Sequence, residues 1–162
     1  MQFDEEDWLN AFRLNFLSTL RLSRGVVPIM QQQGGGAIVN IVSYVVKQPA
    51  MLLALSNGIR AGVIGMARSL ANEMGPHGIR VNNVLPGRIA TERVVQIDHA
   101  RAQREGKSYD EIVTEWDRRI PLGRSGQPGE VGDLVAFLAS SRASYLTGLS
   151  VLIDGGLVQG LM

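Results

Sequence analysis

The sequence predicts an α/β fold with a parallel sheet of three strands and helices on its flanks. Residues 37–42, 80–84 and 149–153 form short apolar runs rich in β-branched residues, which is typical of buried strands. Longer helix-forming segments lie between these runs. Because strands that alternate with helices form parallel sheets with right-handed crossovers, we expect the three strands to run parallel.

The chain is predicted to begin with a long helix. Asp4 is a suitable N-cap, and the acidic residues at positions 5–7 complement the positive end of the helix dipole. Apolar residues recur at a spacing of four, at Trp8, Phe12, Phe16 and Leu20. We expect Pro28 to kink the last turns and the glycines at 34–36 to end the helix.

A second helix is predicted from about Ser56 to Met74, after the first strand. Ser56 is a favoured N-cap residue. Glycines 58, 62 and 65 lie close to one face of this helix. Each glycine costs about 1 kcal/mol in a helix interior, so we expect close packing against a sheet or another helix to compensate.

Three further helices are predicted after the second strand. Residues 91–119 are helix-prone and interrupted at Gly106, which indicates two helices that form a flap. The last helix is predicted from Glu130 to about Ala139, with Leu134, Phe137 and Leu138 facing inward. Ligands of parallel sheets bind at the carboxyl ends of the strands. Here those ends are Ser43, Leu85-Pro86-Gly87 and Asp154.

Composition and charge exclude several function classes. A chain of 162 residues is long enough for one domain. Its 16 basic and 15 acidic residues give a net charge of +1, which argues against nucleic acid or an anionic membrane as a partner. The absence of cysteine excludes disulfides and a cysteine nucleophile. His77 and His99 are too far apart for an HxxxH or HExxH pair, so we predict no metal site.

The sequence shows no targeting or membrane signal. Its first residues are acidic, unlike the basic and then apolar start of a signal peptide. No apolar run approaches the ~20 residues that a membrane span requires. We therefore expect a cytoplasmic protein with no membrane partner.

Four stretches, taken in order, resemble the short-chain dehydrogenase/reductase (SDR) family. Leu14-Asn15-Phe16 resembles the site of the family's structural asparagine, and residues 36–43 resemble the strand that delivers its catalytic serine, here Ser43. Residues 79–91 resemble the loop on the nicotinamide side. The carboxyl-terminal signature is matched by Tyr145-Leu146-Thr147-Gly148 followed by Ile153-Asp154-Gly155-Gly156.

The resemblance implies a partial Rossmann-type fold in which residues 1–162 form a single domain. This domain corresponds to the later part of the family fold and lacks its amino-terminal dinucleotide-binding strands. The implied cofactor is NAD or NADP, the implied substrate is a small carbonyl or hydroxyl compound, and Asn15 and Ser43 are implied as catalytic residues. Cofactor contacts are implied for Pro86, Gly87, Ile89 and Thr91. Because the glycine-rich phosphate loop belongs to the missing strands, we expect cofactor binding to be weak or absent.

Two positions depart from the family pattern. Ser56 stands thirteen residues after Ser43, at the position where the family carries its catalytic tyrosine. Arg60 stands four residues further on, at the position of the family's lysine. No YxxxK occurs anywhere in the chain. This pattern resembles a divergent subgroup described as 3-oxoacyl-carrier-protein-reductase-like. Ser56 and Arg60 remain candidate catalytic residues, although a serine hydroxyl is a poor acid or base near neutrality. The Arg60 guanidinium is suited to bind a carboxylate or phosphate ligand. An equally weighted alternative is that Arg60 is only a solvated charge on the helix surface.

The sequence leaves three function classes open. The first is an SDR oxidoreductase homologue whose catalytic competence is doubtful and which is expected to be inactive as this chain. The second is a non-catalytic oligomerising or binding module. The third is a serine hydrolase that uses Ser56 or Ser43 with His77 or His99 as the base; residues 54–58 resemble a nucleophile elbow with alanine in place of its first glycine.

The chain is also expected to form a homodimer or tetramer. The first helix and the 56–74 helix correspond to the pair that builds the main subunit interface of the SDR family. Their apolar residues and the glycine face are expected to be exposed in a monomer, as is the edge of the first strand. Association by helix packing, by edge pairing or by an exchange of segments would cover these surfaces.

Overall fold

The computed structural model describes residues 3–160 and contains the predicted parallel sheet. Strands β1 (Gly36–Ile41), β2 (Ile79–Pro86) and β3 (Ser150–Ile153) are hydrogen-bonded in the order β1-β2-β3, and both pairs are parallel. The central strand β2 is the most deeply buried, because each of its faces is covered by a helix. The predicted α/β fold with three parallel strands is confirmed.

The first long helix has a π-helical turn in its middle. It consists of α1 (Glu5–Phe12), the π turn Arg13–Leu17 and α2 (Ser18–Gln32). The predicted start is confirmed, since Asp4 and Asp7 form a reciprocal capping box. The π turn was not predicted, because one extra residue in a turn leaves no clear mark on an apolar pattern. The helix continues through Pro28 to its end at Gln32.

Helix α3 (Ala54–Met74) packs against the first helix through its glycines. A Cβ atom added at Gly58 would lie 3.4 Å from the ring of Trp8, and one at Gly62 would lie 3.4 Å from the ring of Phe16. The close packing expected of the glycines is therefore made at these two positions within one chain. Gly58, Gly62 and Gly65 nevertheless remain exposed in the single chain, as expected of this face in a monomer.

The start of α3 differs from the prediction. The helix begins at Ala54, with Leu53 as the N-cap residue and no side-chain cap. The prediction that Ser56 caps the helix is wrong, because Ser56 lies inside the first turn. Its hydroxyl accepts a hydrogen bond from the Arg60 side chain instead.

The remaining helices lie where the sequence places them. The flap consists of α4 (Glu92–Glu105) and α5 (Tyr109–Asp117), separated by Gly106 in the left-handed conformation with φ +65°. Helix α6 (Pro128–Ala139) packs against the sheet opposite α3: Val81 faces α3, whereas the neighbouring Arg80 donates to the carbonyl of Leu138 on α6. The expectation that Phe137 faces inward is wrong, since it is 40% exposed.

Within residues 3–160, no helix is both long and apolar enough to cross a membrane.

Candidate active site

The carboxyl end of β1 and the start of α3 are joined by one side chain, that of Arg60. Its Nη1 donates to the carbonyl oxygen of Val42 at 3.1 Å, and its Nε donates to Ser56 Oγ at 3.1 Å. Ser56 and Arg60 are four residues apart, so they lie on the same face of the helix. The guanidinium is thereby held between the helix and the end of the strand.

The charge of Arg60 has no carboxylate partner in the part of the chain that the structure describes. The side chain is half-buried, and burial lowers the pKa of its guanidinium from the usual value. Desolvation acts in this direction because it disfavours the charged form. Arg60 is thus a partly desolvated cation and not a solvated helix charge.

Asn15 faces the same region from the π turn. Its Nδ2 donates to the carbonyl oxygen of Ala11 at 3.0 Å, four residues earlier in the helix. A cavity of about 370 Å³ is lined by Asn15, Ser56 and Arg60 together with Leu14 and Leu55. Three of the four predicted catalytic residues therefore meet at one cavity.

Ser43 lies beside this site and is turned towards its own loop. It follows β1, and its Oγ accepts a hydrogen bond from the backbone N–H of Val45 at 3.4 Å. Its neighbour Val42 lines a second cavity, of about 300 Å³, which shares Asn15 and Arg60 with the first. The structure therefore places Ser43 next to the shared site, whereas the other three residues line it.

The predicted cofactor loop follows β2 and is held against β3. The backbone N–H of Gly87 donates to the carbonyl of Ile153 at 3.0 Å, and a Cβ atom on Gly87 would come within 2.5 Å of Asp154 Cβ. Only glycine fits this approach. Pro86 is the last residue of β2, so Pro86 and Gly87 lie at the carboxyl edge of the sheet.

The other two predicted cofactor residues have structural partners. Ile89 forms an isolated parallel bridge with Gly126 and lines a small cavity that also includes Asp154. The hydroxyl of Thr91 accepts a hydrogen bond from the backbone N–H of Val94 at 3.4 Å and so caps α4. The loop therefore presents mainly backbone and apolar groups at the edge of the sheet.

A residue that sequence reasoning missed, Arg88, ties this loop to the flap. Its guanidinium forms a two-pronged ion pair with Asp98 of α4, and its Nε donates to Ser125 Oγ at 3.1 Å. The two side chains of the ion pair are 8% and 1% exposed. The guanidinium also lies over the ring of Trp116, 5.1 Å from its centre. The partners lie ten residues apart across a loop, a spacing that no helix or strand periodicity would reveal.

Tyr44 lies near Arg88 and Arg119. Burial raises the pKa of its phenol, and the positive charges of Arg119 and Arg88 partly oppose this rise. The phenol is therefore protonated at neutral pH. Arg119 also stacks on Trp116, with its guanidinium 4.5 Å from the ring centre.

The two histidines of the hydrolase interpretation do not contact Ser43 or Ser56 through hydrogen bonds in the described chain. His99 stacks on Tyr109 with ring centres 4.5 Å apart, and His77 follows the far end of α3, a helix of 21 residues and about 30 Å. Among the described residues, neither Ser43 nor Ser56 is hydrogen-bonded to a histidine. The hydrolase interpretation is therefore not supported, and the elbow interpretation is wrong because Ser56 lies inside a helical turn.

Comparison with known proteins decides the family. A family profile described as enoyl-(acyl carrier protein) reductase matches residues 1–158. The chain is 38% identical over 160 residues to 3-oxoacyl-[acyl-carrier-protein] reductase from Thermotoga maritima, covering 98% of this chain and 60% of that protein. The chain belongs to the short-chain dehydrogenase/reductase family.

Solved SDR structures share the architecture described above. L-sorbose reductase from Gluconobacter frateurii, complexed with NADPH and L-sorbose, matches with a TM-score of 0.93 and 30% identity over 99% of this chain and 62% of its own. A short-chain oxidoreductase from Pseudomonas aeruginosa, described as containing an atypical catalytic centre, matches with a TM-score of 0.87 and 32% identity over 98% of this chain and 61% of its own. The chain spans 56–60% of the length of the curated relatives it matches.

Proposed function

We propose that this chain carries the substrate side and the nicotinamide side of an NAD(P)-linked oxidoreductase for a carbonyl or hydroxyl compound. We further propose that the 162-residue chain does not transfer hydride by itself. One observation carries this proposal: the Arg60–Ser56 hydrogen bond stands at the positions that resemble the family's catalytic pair. The names of its SDR relatives, which are reductases and dehydrogenases, support the reaction class.

The pair can polarise a carbonyl oxygen but cannot supply a proton to it. A hydroxyl and a guanidinium are both hydrogen-bond donors, and donors aimed at a developing oxyanion stabilise it. Efficient acid–base catalysis needs a group whose pKa lies near the working pH. Burial lowers the pKa of the Arg60 guanidinium, but a guanidinium stays charged in proteins. A serine hydroxyl is a poor acid or base near neutrality. The site therefore binds and orients a substrate.

The residues present fit only one end of the cofactor. When bound, NAD(P) would supply or accept the hydride. The backbone and apolar groups of Pro86–Ile89 offer a place for the nicotinamide end at the edge of the sheet. The pyrophosphate needs a glycine-rich turn at the start of a helix, and the sequence has no GxGxxG. The residues present therefore offer a place for the nicotinamide end but not for the pyrophosphate.

Nicotinamide mononucleotide tests the position of the proposed cofactor end. We expect weak binding that shifts backbone amide NMR signals of residues 87–91. Thr91→Ser is the matched control, because it keeps the hydroxyl that caps α4. This variant should bind nicotinamide mononucleotide as tightly as the unaltered chain. Shifts confined to another part of the chain would contradict the proposed cofactor side.

A specific observation favours self-association as a second function. The backbone N–H of Gly36 donates to the carbonyl of Gly78, just before β2, and that of Val42 donates to the carbonyl of Val84 in β2. The alternate residues 37, 39 and 41 therefore direct their backbone groups away from β2. Among residues 3–160, no strand pairs with that edge. Ile41 and Leu22 beside it are 60% and 71% exposed. We propose that a homodimer or tetramer covers this edge.

A further inference from the structure

We propose that the cavity lined by Ser56 and Arg60 selects a small ligand that carries a carboxylate next to a short apolar body. This inference rests on the proposed function, since it names the class of compound that the same site holds. Three features of the cavity lead to it: an uncompensated charge, two donors that remain available, and apolar walls.

The charge of Arg60 is fixed at this cavity and, among residues 3–160, forms no ion pair. Arg60 is held by two hydrogen bonds, to Val42 O and Ser56 Oγ, and both acceptors are uncharged. Asp7 also lines the cavity, but its carboxylate accepts the backbone N–H of Asp4 in the capping box of α1, and its side chain is exposed. A half-buried cation without an ionic partner favours an anionic ligand, because the ligand replaces the solvation lost on burial.

Two donors remain at the same place. Nη1 and Nε of Arg60 are engaged, and in the described chain no acceptor is bonded to Nη2. Ser56 Oγ accepts from Nε, so its own hydrogen is available for another acceptor. A carboxylate with one oxygen on Nη2 and the other on the Ser56 hydroxyl would use both donors in charge-assisted bonds.

The walls of the cavity restrict what is attached to the anion. Ala11, Leu14 and Leu55 line it beside the polar residues, and its volume is about 370 Å³. A short alkyl or acyl chain fits these apolar walls, whereas a free phosphate ion has no apolar part to bury. A nucleotide phosphate is also an oxyanion and could accept hydrogen bonds from the same two donors. The experiment therefore compares a carboxylate ligand with phosphate ligands.

The test compares butyrate with butyramide, its neutral analogue, by NMR titration of the unaltered chain. We expect butyrate to shift the signals of Leu55, Ser56 and the Arg60 side-chain Nε, and to bind at least about tenfold more tightly than butyramide. Inorganic phosphate and nicotinamide mononucleotide are titrated in parallel, and neither should shift these signals as strongly. Equal affinities for butyrate and butyramide, or tighter binding of either phosphate compound here, would overturn the proposal.

Variants then assign the effect to the guanidinium. Arg60→Gln should weaken butyrate binding about tenfold, and Arg60→Lys should restore part of it because the charge returns without the planar fork. Arg68→Gln is the matched control on the same helix, since Arg68 also donates to a backbone carbonyl, that of Gly148, at 3.0 Å. Binding unchanged in Arg60→Gln contradicts the assignment. NADPH turnover by the pure chain would overturn the proposed function without altering the butyrate-to-butyramide ratio.

Discussion

Arg60 Nε donates to Ser56 Oγ at 3.1 Å, one turn apart on α3, and this bond turns two donors towards one cavity. The same guanidinium reaches back to the carbonyl of Val42 at the end of β1. The pair therefore connects α3 to the end of β1, just before Ser43. The proposed function rests on the resemblance by which this pair stands where the family carries its catalytic tyrosine and lysine.

The buried ion pair between Arg88 and Asp98 should be the most sensitive polar contact in the chain. Asp98→Asn leaves a guanidinium that is 8% exposed without its counter-charge, and we expect a loss of about 3–5 kcal/mol in the free energy of unfolding. Urea denaturation measures this loss. Glu6→Gln is the control, because the Glu6–Arg13 pair is exposed and should change stability little. An Asp98→Asn chain as stable as the original would refute the role of this pair.

The approach of Gly87 to Asp154 predicts intolerance to a single methyl group. In Gly87→Ala the new Cβ would lie 2.5 Å from Asp154 Cβ and 2.7 Å from its Cα, so the backbone must move. We expect a loss of about 1–3 kcal/mol, as for other overpacked sites. Gly129→Ala in α6 is the control, since nothing lies within 4 Å of the added Cβ. Equal thermal midpoints for the two variants would contradict this geometry.

The two glycines nearest the middle of α3 should respond differently to a larger side chain. Gly62→Leu would force the ring of Phe16 away, since even a Cβ there lies 3.4 Å from it, and we expect a destabilisation of about 1–3 kcal/mol. Gly65→Leu meets nothing within 4 Å at its Cβ and should stabilise the helix by about 0.5–1 kcal/mol. Thermal unfolding of both variants checks the sign. The prediction is refuted if both change stability in the same direction.

Local signals explain what the sequence could predict. The Asp4 cap, the three strands and the break at Gly106 each depend on residues adjacent in the chain, so they were predicted to within a few residues. Residues that act across the fold were missed or misassigned. Serine is typical of an N-cap, so the sequence indicates that role for Ser56. In the structure Ser56 instead accepts a hydrogen bond from Arg60, whose side chain also reaches the carbonyl of Val42. Arg88 and Asp98 meet only because the flap folds over the loop after β2.

The stability of the chain should fall in acid partly through Glu130. The Arg124 hydrogen bond, helped by the backbone N–H of Gln127, lowers the pKa of this carboxyl to about 2. Because the folded pKa lies below the unfolded value of 4.5, the stabilisation is present above about pH 4.5 and is lost as the pH falls towards 2. Urea denaturation at pH 5 and pH 3 should show a smaller decrease for Glu130→Gln than for the unaltered chain. An identical decrease in both would contradict this assignment.

Charge placed on the open edge of β1 should interfere with self-association. We expect multi-angle light scattering to show a dimer or tetramer for the unaltered chain, and Ile41→Lys to shift the distribution towards monomer. Ile41 is 60% exposed, so the substitution should not damage the core. Leu122→Lys is the control, because Leu122 is 69% exposed and lies next to Gly155, beyond the end of β3. A stable 17.6 kDa monomer at high concentration would contradict the proposed assembly.

The most direct test of the central claim is the rate of NADPH consumption by the purified chain, followed at 340 nm with short-chain ketones, aldehydes and 3-oxo acids. The measurement is repeated from pH 6 to pH 9. The account predicts the rate of buffer alone at every pH, for the unaltered chain and for Arg60→Gln alike. A protein-dependent rate that is lost in Arg60→Gln would contradict it, because the Arg60–Ser56 pair would then perform the acid–base step.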